Sequence, residues 1–343
     1  MRAITVEEPG VARIVDVENP DDAIRQGDAL VRVLAVGLCG TDLKTFQGTN
    51  PLVHYPRVIG HELYGEVVKL PEYGTRNLKK GDRVTVYPYS HCGRCSACRK
   101  GRQNCCKNNR TLGVQRDGGG CDFITVPPSV IVPVGTLSAD AGVLVEPLSV
   151  AYHAAIRAQV EPNDVVAVVG CGMIGLGVIA AASHMGATVI AVDIAGRKLE
   201  QARSVGATHA INADSEDLTR RLAELTDDQG PDTIIEAVGS ARTFRQAVEQ
   251  VCFAGRVVYI GYAAEQVQYD PKHFVSKELD VRGSRNATPE DFRSVIELLE
   301  NGAIEVEPLV SHRFAAADAP EALKLWSNSP SEVTKIVLSF GEQ

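Results

Sequence analysis

With 343 residues, the chain is longer than the size at which a single hydrophobic core is usual, so two domains are expected. The composition, 44% hydrophobic and 23% charged, is that of a globular protein, and the net charge of -8 argues against nucleic acid or an anionic membrane as a partner. The apolar stretches fall short of the roughly 18 residues that span a bilayer, and the first residues lack the apolar core of a signal peptide, which predicts a cytoplasmic protein.

Three short fragments carry side chains that zinc accepts as ligands. The fragments are GLCGTD (37–42), GHELYG (60–65) and VEPL (145–148), and their candidate ligands are Cys39, His61, Glu62 and Glu146. Taken singly, each has an ordinary structural explanation: a buried small residue, a polar strand end, and a Glu-Pro pair that opens a helix. Their combination with the motifs that follow makes them candidates for an open, catalytic metal site.

A cysteine cluster occupies residues 91–106, HCGRCSACRKGRQNCC, which hold five of the nine cysteines. In a reducing compartment such clusters are more often metal ligands than disulfides. Its candidate zinc ligands are Cys92, Cys95 and Cys98 at intervals of three, with either Cys105 or Cys106 as the fourth. Four thiolates complete the tetrahedral coordination of Zn²⁺ and leave no position for a substrate. The stretch therefore predicts a structural zinc lobe over about residues 88–110.

The same stretch is basic and contains no acidic residue, as a nucleic-acid-binding zinc ribbon would be. Its cations are Arg94, Arg99, Lys100, Arg102, Lys107 and Arg110. No aromatic side chain is interleaved for base stacking, and the chain as a whole is acidic. Nucleic acid is therefore not expected as a partner.

Residues 165–193, VVAVVGCGMIGLGVIAAASHMGATVIAVD, follow the pattern of a dinucleotide-binding unit. The predicted parts are a strand Val165–Val169, the glycines Gly170, Gly172 and Gly175, a helix, and a second strand Thr188–Val192 ending at Asp193. The glycines permit a tight turn, close approach of a pyrophosphate and close helix–strand packing, and the helix N-terminus favours phosphate. The order strand, glycines, helix, strand and acid makes the assignment specific.

Asp193 lies where a carboxylate accepts both ribose hydroxyls of NAD and repels a 2′-phosphate. Arg197 and Lys198 follow soon after and are able to bind a 2′-phosphate, but nothing replaces Asp193 itself. NAD is therefore the predicted cofactor. Further strand-like segments at Asp232–Ala237, Arg256–Ile260 and Asp280–Gly283 extend the β/α alternation of a doubly wound sheet.

Together these motifs resemble the zinc-dependent medium-chain dehydrogenases, and within them the sorbitol dehydrogenase-like polyol enzymes. The resemblance covers essentially the whole chain and includes KKGDRV (79–84) and GVQRDGGGCDFITVP (113–127). Glutamate at position 146 is typical of the polyol, threonine and sugar dehydrogenases, whereas classical alcohol dehydrogenases have cysteine there. Three fragments resemble the bacterial L-galactonate 5-dehydrogenase group more specifically: YPRVIGHE (55–62), NCCKNNRTLGVQRDGG (104–119) and GSRNATPEDF (283–292).

The resemblance implies a catalytic zinc on Cys39 and His61 with Glu62 or Glu146 as the third ligand, and it favours Cys106 as the fourth ligand of a second, structural zinc. It also implies that Thr41 accepts the proton of a zinc-bound substrate hydroxyl, while hydride passes to the nicotinamide. Many relatives have histidine at the position of Lys44, which is a poor base when protonated. Lys44 is therefore a relay residue, a partner for a carboxylated substrate, or a solvated surface residue.

In the cofactor half, the resemblance implies contacts to NAD from Met173, Ile174, Ser284 and Arg285, besides the residues named above. A sugar-acid substrate needs a cation in its pocket, preferably a planar one. Arg285 is the first candidate, because the matching stretch in the family lies beside the nicotinamide. His54 and Lys44 are the others.

The implied architecture is α/β: a Rossmann domain over residues 150–285 inserted into a mainly-β GroES-like catalytic domain over 1–149 and 286–343. The implied assembly is a homodimer or homotetramer. The predicted function is NAD-dependent oxidation of a secondary hydroxyl of a polyol or sugar acid. Oxidation of neutral polyols or L-threonine is the alternative, and a non-enzymatic zinc module for redox sensing or nucleic-acid binding is a remote one.

Overall fold

The computed structural model describes residues 1–75 and 77–341, and its contacts divide the chain into two compact units. The first unit consists of Met1–Glu146, Thr288–Asn301 and Val310–Gln343, and the second of Pro147–Ala287 and Gly302–Leu309. This division differs from the expected one mainly at the return of the chain, because residues 302–309 cluster with the second unit. The predicted α/β class is confirmed by the sheets and helices described next.

The helices, in chain order, are α1 Gly40–Phe46, α2 Ser96–Arg99, α3 Ala139–Ala158, α4 Met173–His184, α5 Gly196–Ser204, α6 Leu218–Leu225, α7 Ala241–Gln250, α8 Lys272–Ser276, α9 Pro289–Glu300 and α10 Ala319–Asn328. The strands are β1 Arg2–Glu8, β2 Val11–Asp16, β3 Ala29–Leu38, β4 Arg57–Val58, β5 Glu62–Lys69, β6 Arg83–Val86, β7 Phe123–Val126, β8 Ile131–Pro133, β9 Val165–Val169, β10 Thr188–Asp193, β11 His209–Asn212, β12 Thr233–Glu236, β13 Arg256–Tyr259, β14 Asp280–Gly283, β15 His312–Ala315 and β16 Ile336–Ser339.

The first unit is built on a seven-stranded sheet of order β15-β16-β3-β5-β6-β8, with β7 paired to β3, and on a three-stranded sheet of order β2-β1-β4. Strand β3 is antiparallel to β16 and to β5, with Leu38 opposite Ile336 and Gly37 opposite Glu62. The carboxyl end of β3 therefore meets the first residues of β5 and β16. They meet at the edge of the sheet that is formed by strand ends, not by an outer strand. Residues that are distant in sequence converge at this edge.

The second unit contains a six-stranded parallel sheet of order β11-β10-β9-β12-β13-β14. This is the strand order of a doubly wound dinucleotide-binding fold, in which the order of the strands reverses between β9 and β12. The predicted strands are confirmed, and two of them, Val165–Val169 and Asp280–Gly283, have the predicted bounds. The apolar residues of the central strands are buried, except the half-buried Val165, because helices cover the sheet, as its continuous β-branched runs indicated.

Helix α3 differs from the expectation in one respect, because Pro147 lies in its interior and does not open it. Proline lacks the amide that a helix interior uses and disturbs the preceding turn. The boundary between the two units falls at this residue. Among the described residues, α3 and the other helices all lack the combination of length and apolar character that crossing a bilayer requires.

Candidate active site

Three candidate ligands meet at the edge of the seven-stranded sheet described above. The Sγ atom of Cys39, a ring nitrogen of His61 and a carboxylate oxygen of Glu62 all lie within 4.8 Å of one another. Cys39 immediately follows β3, and Glu62 opens the neighbouring antiparallel strand β5, so the sheet register brings them together. His61 and Glu62 are buried, and Cys39 is half-buried. A thiol, an imidazole and a carboxylate at this spacing are a ligand set that zinc accepts.

The Glu62 carboxylate is held by a fully buried lysine. The ammonium group of Lys335, which precedes β16, donates to the two oxygens of Glu62 at 2.6 and 2.5 Å and to the carbonyl of Leu38 at 3.0 Å. Burial lowers the pKa of Lys335, but the charges of Glu62 and Cys39 more than offset this and raise it. A Cβ atom on Gly37 would lie 2.1 Å from a carboxylate oxygen of Glu62, so only glycine leaves room here.

Glu146, the fourth candidate, lies close enough to interact with His61 and Glu62 but outside the set that meets within 4.8 Å. It is buried in α3, and the hydroxyl group of Tyr89 donates a hydrogen bond to its carboxylate. Burial and the charge of Glu62 raise the pKa of Glu146, against the opposing effects of His61 and Tyr89. The arrangement thus places Glu62 in the ligand set and Glu146 beside it.

Asp42 supports the ligands from α1. Its fully buried carboxylate accepts hydrogen bonds from the amide of Cys39 at 2.9 Å and that of Gly60 at 3.3 Å, and it lies 3.9 Å from Nδ1 of His61. Burial lowers the pKa of His61, but Cys39, Asp42 and Glu146 together raise it well above its ordinary value. Nδ1 of His61 is buried and has no hydrogen-bond partner among the described residues.

The charge balance of this cluster suits a divalent cation. The buried or half-buried acidic groups are Cys39, Asp42, Glu62 and Glu146, and the basic groups that face them are His61 and Lys335. Desolvation disfavours so many negative charges in one place, and accordingly burial raises the pKa of Asp42. A metal dication would compensate the excess charge. The residues present therefore fit zinc.

The other predicted residues of the first unit are placed as follows. Thr41 lies in the first turn of α1, two residues after Cys39, and is half-buried. Lys44 lies one turn further along α1 and is exposed, and His54 is exposed in the segment before β4. Thr41 is thus close in sequence to the ligand Cys39 and partly shielded from solvent, while Lys44 and His54 are exposed to solvent.

The cysteine cluster forms a second ligand set in the same unit. The Sγ atoms of Cys92, Cys95, Cys98 and Cys106 lie within 4.8 Å of one another. The sulfur of Cys95 is 3.4 Å from that of Cys98 and 4.0 Å from that of Cys106, which brackets the separation of about 3.8 Å for a tetrahedral zinc with bonds of about 2.3 Å. Cys105 lies outside the set and accepts a contact from the guanidinium of Arg102 at 3.7 Å. All nine cysteines are free thiols.

In the second unit, the glycine motif forms the turn between β9 and α4. A Cβ atom on Gly175 would lie 1.8 Å from the carbonyl oxygen of Gly170, so glycine is required for the helix to pack against the turn. A Cβ atom on Gly172, the N-cap of α4, would meet no protein atom within 4 Å. Open space above the N-terminus of a twelve-residue helix suits a pyrophosphate. Met173 and Ile174 are the first two residues of this helix and are half-buried.

The remaining predicted cofactor residues lie at or just beyond the carboxyl ends of the parallel strands. Asp193 ends β10, and its carboxylate accepts hydrogen bonds from the amides of Cys171 at 2.7 Å and Ala195 at 3.0 Å. Arg197 and Lys198 lie in the first turn of α5, and Arg197 is exposed whereas Lys198 is half-buried. Ser284 and Arg285 follow β14, and Ser284 is buried whereas Arg285 is exposed. Because the strands are parallel, these ends share one edge of the sheet, where dinucleotides bind in such folds.

Three residues of the site were not predicted from the sequence. Asp42 carries a weak signal, since an acid three residues after a ligand at a helix start caps that helix. Tyr89 and Lys335 carry no signal, because each reaches its carboxylate through tertiary packing rather than through a motif. Lys335 and Glu62 are separated by 273 residues.

Comparison with known proteins gives matches over both units. The zinc-binding dehydrogenase family matches residues 174–301, and the GroES-like domain family of alcohol dehydrogenases matches residues 25–136. The chain is 34% identical to L-galactonate-5-dehydrogenase of Escherichia coli K12, covering 91% of this chain and 92% of that protein, and 30% identical to sorbitol dehydrogenase of Bacillus subtilis 168, covering 98% and 97%. It superposes with a TM-score of 0.92 and 31% identity on an alcohol dehydrogenase from Escherichia coli CFT073 complexed with NADH, covering 99% of each chain.

Proposed function

This chain belongs to the zinc-type medium-chain alcohol dehydrogenase family, and on that premise we propose that it oxidises a secondary hydroxyl of a sugar acid to the ketone with NAD as acceptor. The observation that carries the proposal is the convergence of Cys39, His61 and Glu62 within 4.8 Å at a buried sheet edge. A purely structural zinc site would be closed by four protein ligands, as the cysteine lobe is. A three-ligand set leaves a position for substrate.

In this proposal Cys39, His61 and Glu62 hold the catalytic zinc, and the cysteine lobe holds a second, structural zinc. Zinc, when bound, supplies Lewis acidity that lowers the pKa of a hydroxyl group. Lys335 fixes the orientation of the Glu62 carboxylate. The carboxylate of Asp42 accepts a hydrogen bond from the backbone amide of Cys39 and so fixes the residue that carries the thiol. The hydroxyl group of Thr41 takes the substrate proton and passes it toward solvent. Lys44, exposed on the same helix, does not serve as a buried base.

The second unit holds the cofactor in this proposal. The amides at the start of α4 bind the pyrophosphate over Gly172, and the Asp193 carboxylate accepts hydrogen bonds from the adenosine ribose. NAD, when bound, accepts the hydride. Support comes from the open space over Gly172 and from the NADH complex of the similar alcohol dehydrogenase.

Changing Asp193 to alanine is expected to lower kcat/KM with NAD by ten- to a hundredfold, because a hydrogen bond to a charged group contributes about 1.5–3 kcal/mol. The same change removes the repulsion of a 2′-phosphate, so kcat/KM with NADP is expected to rise. Initial rates with both cofactors measure the ratio. Asp193→Asn, which keeps an acceptor for one of the two amides of Cys171 and Ala195, limits damage to the turn and provides the control. An unchanged NAD/NADP ratio in both variants would remove Asp193 from the cofactor site.

A sugar acid is proposed as substrate because of the similarity to L-galactonate-5-dehydrogenase. Arg285 after β14 is the first candidate for contact with its carboxylate, and Lys44 and His54 are the others. Guanidinium matches a carboxylate in a bidentate manner, which a lysine cannot do. Neutral polyols are the second candidate class, favoured by the similarity to sorbitol dehydrogenase.

The test is NADH formation by the zinc-loaded enzyme on L-galactonate, L-gulonate, sorbitol, galactitol and L-threonine, with NAD and NADP in parallel. Turnover of an aldonate with NAD supports the proposal, and Arg285→Gln should then raise KM for the aldonate by a larger factor than KM for neutral polyols. Turnover of polyols or L-threonine alone keeps the reaction class and removes the sugar-acid assignment. Cys39→Ser, which removes one ligand, provides the inactive control.

A homodimer or homotetramer and a cytoplasmic location remain predictions. Sizing of the purified protein tests the first, and cell fractionation tests the second.

A further inference from the structure

We propose that a basic cavity on the cysteine lobe, remote in sequence from the ligands of the candidate active site, binds the phosphate group of a small phosphorylated carbohydrate. The cavity has a volume of about 380 Å³ and is lined by Cys95, Ser96, Ala97, Lys100, Arg102, Cys105 and Lys107. Three of the seven lining residues are cations and none is acidic. The proposed dehydrogenase activity does not require a ligand in this cavity.

The positive charge of the cavity is not balanced by neighbouring acids. The sequence from residue 83 to residue 116 contains eight lysines and arginines and neither aspartate nor glutamate, in a chain whose net charge is -8. Lys100, Arg102 and Lys107 are exposed and form no ion pair within residues 1–75 and 77–341. An anion approaching this lobe would therefore be attracted to it.

A simpler explanation is that the cations only neutralise the zinc cluster. Zinc with four thiolates carries a net charge of about -2. The three cavity cations already exceed this charge, and Arg94, Arg99 and Arg110 add to the excess in the same stretch. Neutralisation of the cluster thus leaves positive charge unexplained.

The lobe also holds the cations on a fixed backbone. The amides of Cys92 and Asn108 donate to the sulfur of Cys106 at 3.3 Å, and the amide of Lys100 donates to carbonyls of the preceding turn. The guanidinium of Arg102 lies 3.7 Å from the sulfur of Cys105. A pre-organised cation group loses less entropy on binding than three independent surface side chains.

The size and lining of the cavity select among phosphate ligands. A volume of about 380 Å³ is in the range of small-molecule sites and exceeds what inorganic phosphate fills. No aromatic side chain lines it, so a nucleotide base has no stacking surface. Arg102 offers the planar fork that matches phosphate, and the hydroxyl group of Ser96 suits a polar, hydroxylated remainder. A phosphorylated sugar meets all of these conditions.

The test is calorimetric titration of the zinc-loaded full chain with glucose 6-phosphate, inorganic phosphate and glucose at low salt. Glucose 6-phosphate is expected to bind at least tenfold more tightly than inorganic phosphate, and glucose not at all. Equal affinity for both phosphates would overturn the carbohydrate assignment. No binding of either ligand at concentrations up to about 10 mM would overturn the site itself.

The position of the binding site is tested with two matched variants, each of which removes one positive charge. Arg102→Gln is expected to weaken glucose 6-phosphate binding about tenfold, because one charge-assisted hydrogen bond is lost. Arg110→Gln, in the same acid-free stretch but outside the cavity, is expected to change it less than twofold. Equal losses in the two variants would mean diffuse attraction without a site. Lys107→Gln replaces Arg102→Gln if the zinc content of the latter falls.

A second readout uses the thiol in the cavity wall. Saturating glucose 6-phosphate is expected to slow alkylation of Cys105 by iodoacetamide at least fivefold, measured by peptide mass spectrometry. Cys252 in the second unit is half-buried, and its alkylation rate should not change. Protection of neither thiol, despite measurable binding, would place the ligand elsewhere and overturn the proposal.

Discussion

Lys335→Met is expected to lower the free energy of unfolding of the metal-free first unit by about 3–5 kcal/mol, because it leaves the buried Glu62 carboxylate without its cation. The ammonium group of Lys335 is 2% exposed and donates to both oxygens of Glu62, whose side chain is fully buried. Methionine fills a similar volume, so lost packing contributes little. Urea denaturation followed by the fluorescence of Trp326, the single tryptophan, measures this unit because Trp326 is buried in α10.

The same substitution tests the pairing itself when it is made in a Glu62→Gln background. There the carboxylate is absent, so removing Lys335 should cost much less than in the wild-type chain. Zinc binding should also reduce the cost, because the metal supplies positive charge to Glu62 in place of the lysine. Equal costs in both backgrounds would show that Lys335 stabilises the unit by packing alone. Lys324→Met, at an exposed position of α10, provides the matched control.

Cys106→Ser is expected to remove one zinc per chain and to unfold the cysteine lobe locally, whereas Cys105→Ser, at the adjacent residue, should retain both zincs. Structural zinc contributes on the order of 10 kcal/mol to the folding of small zinc modules, and the lobe has little apolar core of its own. Cys106 is fully buried within the four-sulfur set, while Cys105 lies outside it. The two substitutions are chemically identical, so a difference between them reports the ligand set.

Zinc content by plasma emission spectrometry and limited trypsin digestion measure the outcome. The lobe is rich in lysine and arginine, and its cleavage in Cys106→Ser should be at least tenfold faster than in the wild-type chain, since the site opens without metal. Loss of zinc from Cys105→Ser instead would assign the fourth ligand to Cys105. Equal zinc content in both variants would contradict a four-thiolate site.

The sequence predicts well those features that depend on neighbours along the chain. The strand Val165–Val169 and the turn at Gly170 follow from local patterns, because a parallel strand buried on both faces is typically a short β-branched run. The cysteine spacing likewise encodes the four-sulfur set of the lobe, although the sequence by itself left Cys105 and Cys106 as alternatives for the fourth position.

Features that depend on sheet register could not be predicted in this way. Lys335 stands in TKIVLSF, where nothing distinguishes it from a surface lysine at a strand start. Its contact with Glu62 requires that β16 and β5 flank β3 and that residue 37 lacks a side chain, which only the assembled sheet shows. Tyr89 and Glu146 are similarly joined by a hydrogen bond across 57 residues of sequence, which no local pattern indicates.

The distance along the chain between Glu62 and Lys335 has a consequence for biosynthesis. A ribosome that adds about 5–20 residues per second needs roughly 14–55 s to make the 273 residues between them. Throughout that interval the first half of the sheet lacks strand β16, and Glu62 has no lysine to neutralise it. The nascent chain therefore exposes an unpaired strand edge for many seconds, and the pairing of Glu62 with its lysine awaits synthesis of the segment around Lys335.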